Sequence, residues 1–177
     1  MAAAADVHEL VLDKPEQLKA LGHPLRLRVL EMLGESHESN FTNRELAQKL
    51  GVDPGHLHFH VRMLLKTGLI ELVDNGRGHG REKPYRAVAR TFRVAPELLA
   101  SSGARDIQAA MIDEVQRAHA VFAGTPAFRG AQTRIKLPLE ETFERMREEL
   151  EQARDDEQDD LDKVVVTVFV HPPRGRE

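Results

Sequence analysis

Gly51-Val52-Asp53-Pro54-Gly55-His56-Leu57-His58-Phe59-His60-Val61-Arg62-Met63-Leu64-Leu65-Lys66-Thr67-Gly68 is the stretch that decides how this chain folds. An aspartate directly before a proline is a strong helix start. The carboxylate accepts from the orphan N–H groups of the first turn, and a proline at the first helical position has no donor to lose there. The spacing predicts a helix from Pro54 to about Thr67, stopped by Gly68. Leu57, Val61, Leu64 and Leu65 form one apolar stripe, which leaves His56, His58, Phe59, Arg62 and Lys66 largely on the other faces.

Working upstream, Thr42 followed three residues later by Glu45 is a capping box. It predicts a short helix over Asn43–Leu50, with Leu46, Ala47 and Leu50 buried and Gly51 as its C-terminal cap. Glu35 to Phe41 reads as polar loop. Before it, Pro24 opens a helix whose Leu25, Val29, Leu30 and Leu33 recur at helical spacing until Gly34, and Pro15 to Leu21 forms a further short helix stopped by Gly22. Downstream the period changes. Leu69–Val73 and Lys83–Ala89 are strand candidates joined by Asp74–Gly80, a turn with three glycines, and together they predict a hairpin.

Helix, helix, tight glycine turn, helix and basic hairpin, in that order, is the layout of a winged helix-turn-helix, here over residues 15–95. Three blocks carry a resemblance to a known family: Ala20-Leu21-Gly22-His23-Pro24-Leu25-Arg26-Leu27-Arg28-Val29-Leu30, Arg44-Glu45-Leu46-Ala47-Gln48-Lys49-Leu50-Gly51-Val52, and His60-Val61-Arg62-Met63-Leu64-Leu65-Lys66-Thr67-Gly68-Leu69-Ile70. In order and spacing they resemble the ArsR-type winged-helix repressors, from about Leu18 to Arg93, under half of the chain. The resemblance implies a homodimer in which the helix after the wing pairs with its mate and with the N-terminal helix.

The expected fold class is therefore mainly α with a small β-hairpin wing: a winged helix-turn-helix domain, a dimerisation helix at 96–123 and a C-terminal helix-strand module at 139–173. The middle segment is helical with a break near Ser101-Ser102-Gly103. Its apolar stripe lacks an obvious partner in the chain, so Ile107, Met111, Val115 and Phe122 are the expected dimer contacts. Leu139 to about Asp162 reads as an acidic helix, and Lys163–Val170 as an apolar strand.

Charge separates along the 177-residue chain. Residues 1–95 carry 14 Lys+Arg and 12 Asp+Glu, a balance of +2, whereas residues 96–177 carry 11 and 17, a balance of −6. Within the first part, residues 44–93 hold 10 basic and 5 acidic side chains, or +5. Local charge governs whether a surface attracts phosphate, so this basic segment in an acidic chain points toward nucleic acid. The absence of cysteine excludes disulfides and thiolate metal sites. No apolar run reaches the roughly 20 residues of a membrane-spanning helix, and no secretion signal opens the sequence, so a cytoplasmic protein with no membrane partner is expected.

In a helix-turn-helix the second helix enters the major groove with its N-terminal residues nearest the bases. Gly55 would let the backbone approach a phosphate or a base. His56 and His58 can donate or accept at base edges, Phe59 offers an apolar contact such as a thymine methyl, Arg62 can reach a guanine edge or a phosphate, and Lys66 a phosphate. Phe59 could equally pack into the core, and His60 could do so at its edge. The wing adds Arg77, His79, Arg81 and Lys83, a basic tip suited to a minor groove or flanking backbone.

Metal and enzyme readings find little to stand on. His56 and His60 lie one turn apart and could share a zinc, but a closed site wants four ligands and no acidic partner lies on that turn. Metal-sensing members of the resembling family place a Cys-x-Cys where this chain has Thr42 and Arg44, and Asp113, Glu114 and His119 lack the paired spacing of a second family site. No nucleophile elbow or phosphate-binding loop is present, so neither a cofactor nor catalysis is expected. The sequence reading is a sequence-specific regulator of double-stranded DNA, a homodimeric repressor on an inverted repeat. The same fold also serves as a protein-interaction module, or as a sensor of a metal or an unidentified small-molecule effector.

Overall fold

The computed structural model describes residues 9–34, 40–73, 83–130, 137–155 and 165–171. In chain order the elements are β1 (Glu9–Leu12), α1 (Pro15–Leu21), α2 (Pro24–Gly34), α3 (Asn43–Leu50), α4 (Pro54–Lys66), β2 (Ile70–Leu72), β3 (Tyr85–Ala87), β4 (Thr91–Val94), a 3-10 turn at Pro96–Leu98, α5 (Ser102–Phe122) and α6 (Leu139–Asp155). The chain divides into two units, residues 1–117 and 118–177.

In the first unit the core is aliphatic and comes from the predicted stripes. Leu18 and Leu21 of α1, Val29, Leu30 and Leu33 of α2, Leu46 and Leu50 of α3, and Leu57, Val61 and Leu64 of α4 are all buried together with Leu69 and Ile70. Burying each leucine-sized side chain contributes about 1.5–3 kcal/mol, which makes this cluster the main stabilising term of the unit. The turn between α3 and α4 depends on backbone chemistry. Gly51 adopts φ +66°, a left-handed conformation that an L side chain rarely takes, and its N–H closes back onto the end of α3. Thr42 accepts from the Glu45 N–H at 3.3 Å while the Glu45 carboxylate accepts from the Thr42 N–H at 2.7 Å, so the expected capping box is present.

β2 and β3 pair antiparallel with Ile70 opposite Ala87 and Leu72 opposite Tyr85, which forms the expected hairpin stem. Three features depart from the sequence reading. Phe41, expected in a loop, forms an isolated antiparallel bridge with Tyr85, the two backbones exchanging hydrogen bonds of 3.1 and 2.8 Å. The second strand is narrower than Lys83–Ala89, spanning Tyr85–Ala87, although the Val88 N–H still donates to the Leu69 carbonyl at 3.2 Å in the same register. β1 and β4, unforeseen, pair in parallel with Leu10 opposite Phe92, and Arg93 holds Glu9 at 2.9 Å across them.

α5 starts against α1. A β-carbon on Gly103 would lie 2.8 Å from Leu18 Cβ and one on Gly22 2.7 Å from Asp106 Cβ, so two glycines permit this crossing. The helix buries Ala104 and Ala110 and sets Ile107 against the core of its own unit. Ile107 thus has the intrachain partner that the sequence reading did not find.

In the second unit, His119 meets Phe128 edge-on at 5.4 Å. α6 is laced by Arg147, which pairs with Glu144 at 2.8 Å and Glu151 at 2.7 Å, as expected of an acidic surface helix. Residues 165–171 form no strand, which corrects the expected helix-strand module over its described part. A strand needs ladder partners, and none pairs with this segment among the described residues.

Candidate nucleic-acid interface

The outward face of α4 is built from its cap. Asp53 Oδ1 accepts from the His56 N–H at 2.9 Å, as the Asp-Pro start predicts. Gly55 has a local reason beside the one expected, since a β-carbon there would stand 3.1 Å from that capping oxygen. Asn43 of α3 donates through Nδ2 to the Pro54 carbonyl at 2.9 Å, tying the starts of the two helices together.

From this anchored start, Gly55, His56, His58, Phe59, Arg62 and Lys66 are all exposed, while Leu57, Val61 and Leu64 turn inward. Phe59 is 76% exposed and does not pack into the core. Phe59, Arg62 and Lys66 line an open groove with the half-buried Met63 and Leu65. Neither Arg62 nor Lys66 pairs with a carboxylate among the described residues. The wing residues Arg77, His79 and Arg81 lie outside the described residues; Lys83 is exposed just before β3. On α5, Ile107, Met111 and Val115 are half-buried and Phe122 is 45% exposed. Ile112, at 45% exposure, and Val121, at 70%, are bare apolar positions the sequence reading did not select.

Behind the first turn of α4 lies a cluster that sequence reasoning missed. Arg26 of α2 donates through Nε to the Ala20 carbonyl and through Nη2 to the Lys19 carbonyl at 2.9 Å, which fastens it to the C-terminal end of α1. Its Nη1 lies 3.3 Å from His60 Nδ1, and His60 Nε2 lies 3.1 Å from His56 Nε2. The His56 and His60 rings stack with centroids 5.0 Å apart, and His23 tilts against His60 at 4.5 Å. Burial, with His23, the Arg26 guanidinium and His56 disfavouring a further charge beside them, holds the His60 pKa down to about 4. Burial and Arg26 likewise lower that of His23. The His56/His60 spacing was visible in the sequence; the pairing with Arg26 was not, because 34 positions separate it from His60.

Among the described residues no three His, Asp or Glu side chains converge on a metal position, and no helix is long and apolar enough to cross a membrane.

No curated protein matches this chain. Reduced HlyU from Vibrio cholerae is 18% identical, over 61% of this chain and 86% of its own, with a TM-score of 0.34. The homodimeric winged helix-turn-helix DNA-binding domain of Mb0332 from Mycobacterium bovis, a possible ArsR-family transcriptional regulator, is 14% identical over 66% of this chain and 85% of its own, with a TM-score of 0.35. Rv0081 from M. tuberculosis is 27% identical over 57% and 90%, also at 0.35. Residues 21–73 match the family described as a helix-turn-helix domain. Residues 21–73 thus form a helix-turn-helix domain, and the antiparallel β2–β3 pair that follows its last helix gives it the winged form of that fold, with motif blocks that resemble the ArsR type.

Proposed function

We propose that this protein is a sequence-specific, double-stranded-DNA-binding transcriptional regulator, acting as a homodimeric repressor on an inverted repeat. The observation that carries the reading is the outward face of α4: Gly55, His56, His58, Phe59, Arg62 and Lys66 are exposed together on a helix whose other side is locked into the core. The match of residues 21–73 to a helix-turn-helix domain supports it, and so does the +5 balance over residues 44–93. In this reading α4 lies in the major groove, and the segment with Arg77, His79, Arg81 and Lys83 lies on flanking DNA. One such domain makes few base contacts, so useful specificity calls for a second copy. Met111, Val115 and Phe122, joined by Ile112 and Val121, are the proposed dimer face of α5, with Ile107 at its margin against the core.

The test is a fluorescence-anisotropy titration against the DNA upstream of the protein's own gene and against a scrambled duplex, at two salt concentrations. Tighter binding to the upstream duplex is expected, weakened by salt and by Arg62→Ala. Equal binding to both duplexes would refute sequence-specific regulation at that site.

A further inference from the structure

The Arg26–His60–His56 chain has one allowed pattern of protons. A guanidinium can only donate, so Arg26 Nη1, 3.3 Å from His60 Nδ1, requires that nitrogen to accept. His60 is then neutral with its proton on Nε2. That proton faces His56 Nε2 at 3.1 Å, which must accept in turn and leaves the His56 proton on Nδ1. The reverse arrangement fails at the first link, because Arg26 has no acceptor to offer and is fastened to the Lys19 and Ala20 carbonyls. The burial and positive surroundings that keep His60 neutral favour the same pattern.

His56 is exposed on the first turn of α4, and its Nδ1 makes no hydrogen bond among the described residues. An imidazole with both nitrogens free can donate or accept and so reads several bases. With Nε2 consumed, His56 presents a donor alone. In the major groove, guanine is the base whose N7 and O6 are neighbouring acceptors; adenine sets an N6 donor beside its N7, cytosine offers a donor, and thymine sets a methyl beside its O4. We propose that Arg26, acting through His60, makes His56 a one-sided donor that selects the N7/O6 edge of a guanine. This rests on the DNA-binding reading and names a specificity determinant within it. Arg26 is a positioning residue that does not itself touch the base.

Two measurements on the full chain test this. Long-range ¹H–¹⁵N correlation spectra of uniformly ¹⁵N-labelled protein at pH 7.5 report imidazole tautomers directly. The Nε2–H form of His60 and the Nδ1–H form of His56 are expected, and Arg26→Gln should give mixed His56 tautomers, a change that mere loosening of packing would not produce. An Nε2–H form of His56 in the wild type would overturn the chain. Should Arg26→Gln fail to fold, the wild-type spectrum and the second measurement still decide.

In the second, a duplex enriched from a random pool by the wild-type protein is rebuilt at each guanine in turn with 7-deazaguanine, which lacks the N7 acceptor, and with 6-thioguanine, whose sulfur is a poor acceptor in place of O6. At one guanine per half-site, affinity should fall about three- to tenfold, the loss of a single hydrogen bond, for the wild type and not at all for His56→Ala. Specific binding with no such coupled position would overturn the guanine assignment and leave the DNA reading intact. If no duplex is enriched, the DNA reading fails and the base assignment fails with it, while the tautomer spectrum still decides the chain of hydrogen bonds.

Discussion

Asn43 Nδ2 donates to the Pro54 carbonyl across 2.9 Å, joining the first residue of α3 to the first residue of α4. This bond spans the turn that sets the angle between the two helices. Replacing Asn43 by alanine is expected to cost about 1 kcal/mol, the net value of one intramolecular hydrogen bond. Asn43→Asp should cost at least as much, because it removes the donor and sets a carboxylate against a carbonyl. Urea denaturation of both variants checks this, and an aspartate variant as stable as the wild type would show that the bond contributes nothing.

The helices of this turn were legible because glycine and proline punctuate them. Gly22-His23-Pro24 separates α1 from α2, Gly51 and Asp53-Pro54 separate α3 from α4, and Gly68 ends α4 before the period switches to β2. The strand pair β1 and β4 was not legible. Glu9-Leu10-Val11-Leu12 is four residues long, and its partner Thr91–Val94 lies about 80 positions away, so no turn fixes the register. The Phe41 bridge to Tyr85 escaped for the same reason. In the candidate interface, the aliphatic stripe of α4 determined which residues face outward. The support behind His56 came from the α1–α2 turn, α2 and α4 at once, and helical periodicity is silent on contacts between elements.

The two glycines at the α1–α5 crossing should be intolerant of a methyl group. Gly103→Ala brings its β-carbon to 2.8 Å from Leu18 Cβ, an atom of a fully buried side chain that has little room to retreat. Overpacking of this kind costs about 1–3 kcal/mol. Gly34, at the end of α2, has nothing within 4 Å of the added carbon. Gly34→Ala should therefore be neutral or stabilising by at most about 1 kcal/mol. Thermal unfolding of the pair gives the comparison, and equal Tm values would refute the close crossing.

Stability should fall as the medium becomes acidic. The His60 pKa is lowered from 6.5 to about 4 by burial and by the surrounding His23, Arg26 and His56, and that of His23 is lowered by burial first and then by Arg26, His56 and Arg117, with Asp113 opposing. Between pH 6.5 and 4 the unfolded chain binds more protons than the folded one, so stability rises with pH across this window. The contribution is complete above pH 6.5 and is lost as pH falls through 4. Because the cluster is partly solvent-exposed, screening makes the loss smaller than the shift alone implies. His60→Gln, which cannot take up a proton, should flatten the dependence of Tm on pH between 4.5 and 6.5, as calorimetry at half-unit steps would show. An unchanged slope in the variant would assign the acid sensitivity to other groups.

Phe59 separates recognition from folding. Its ring is 76% exposed beside Arg62 and Lys66, whereas Leu57 and Val61 on either side of it in sequence are fully buried. A large aromatic left in water at the outer face of a capped helix contributes little to stability, so Phe59→Ser should shift unfolding by no more than about 0.5 kcal/mol. A phenylalanine packed in the core would instead cost about 3–5 kcal/mol on truncation. If the ring meets a thymine methyl or another apolar edge in the groove, the same substitution should weaken binding to the enriched duplex severalfold. The salt dependence should stay unchanged, because no phosphate contact is lost. Anisotropy at several salt concentrations, run beside thermal unfolding, measures both quantities. A large fall in Tm would place Phe59 in the fold, and a changed salt slope would mean that the substitution disturbs the basic residues around it.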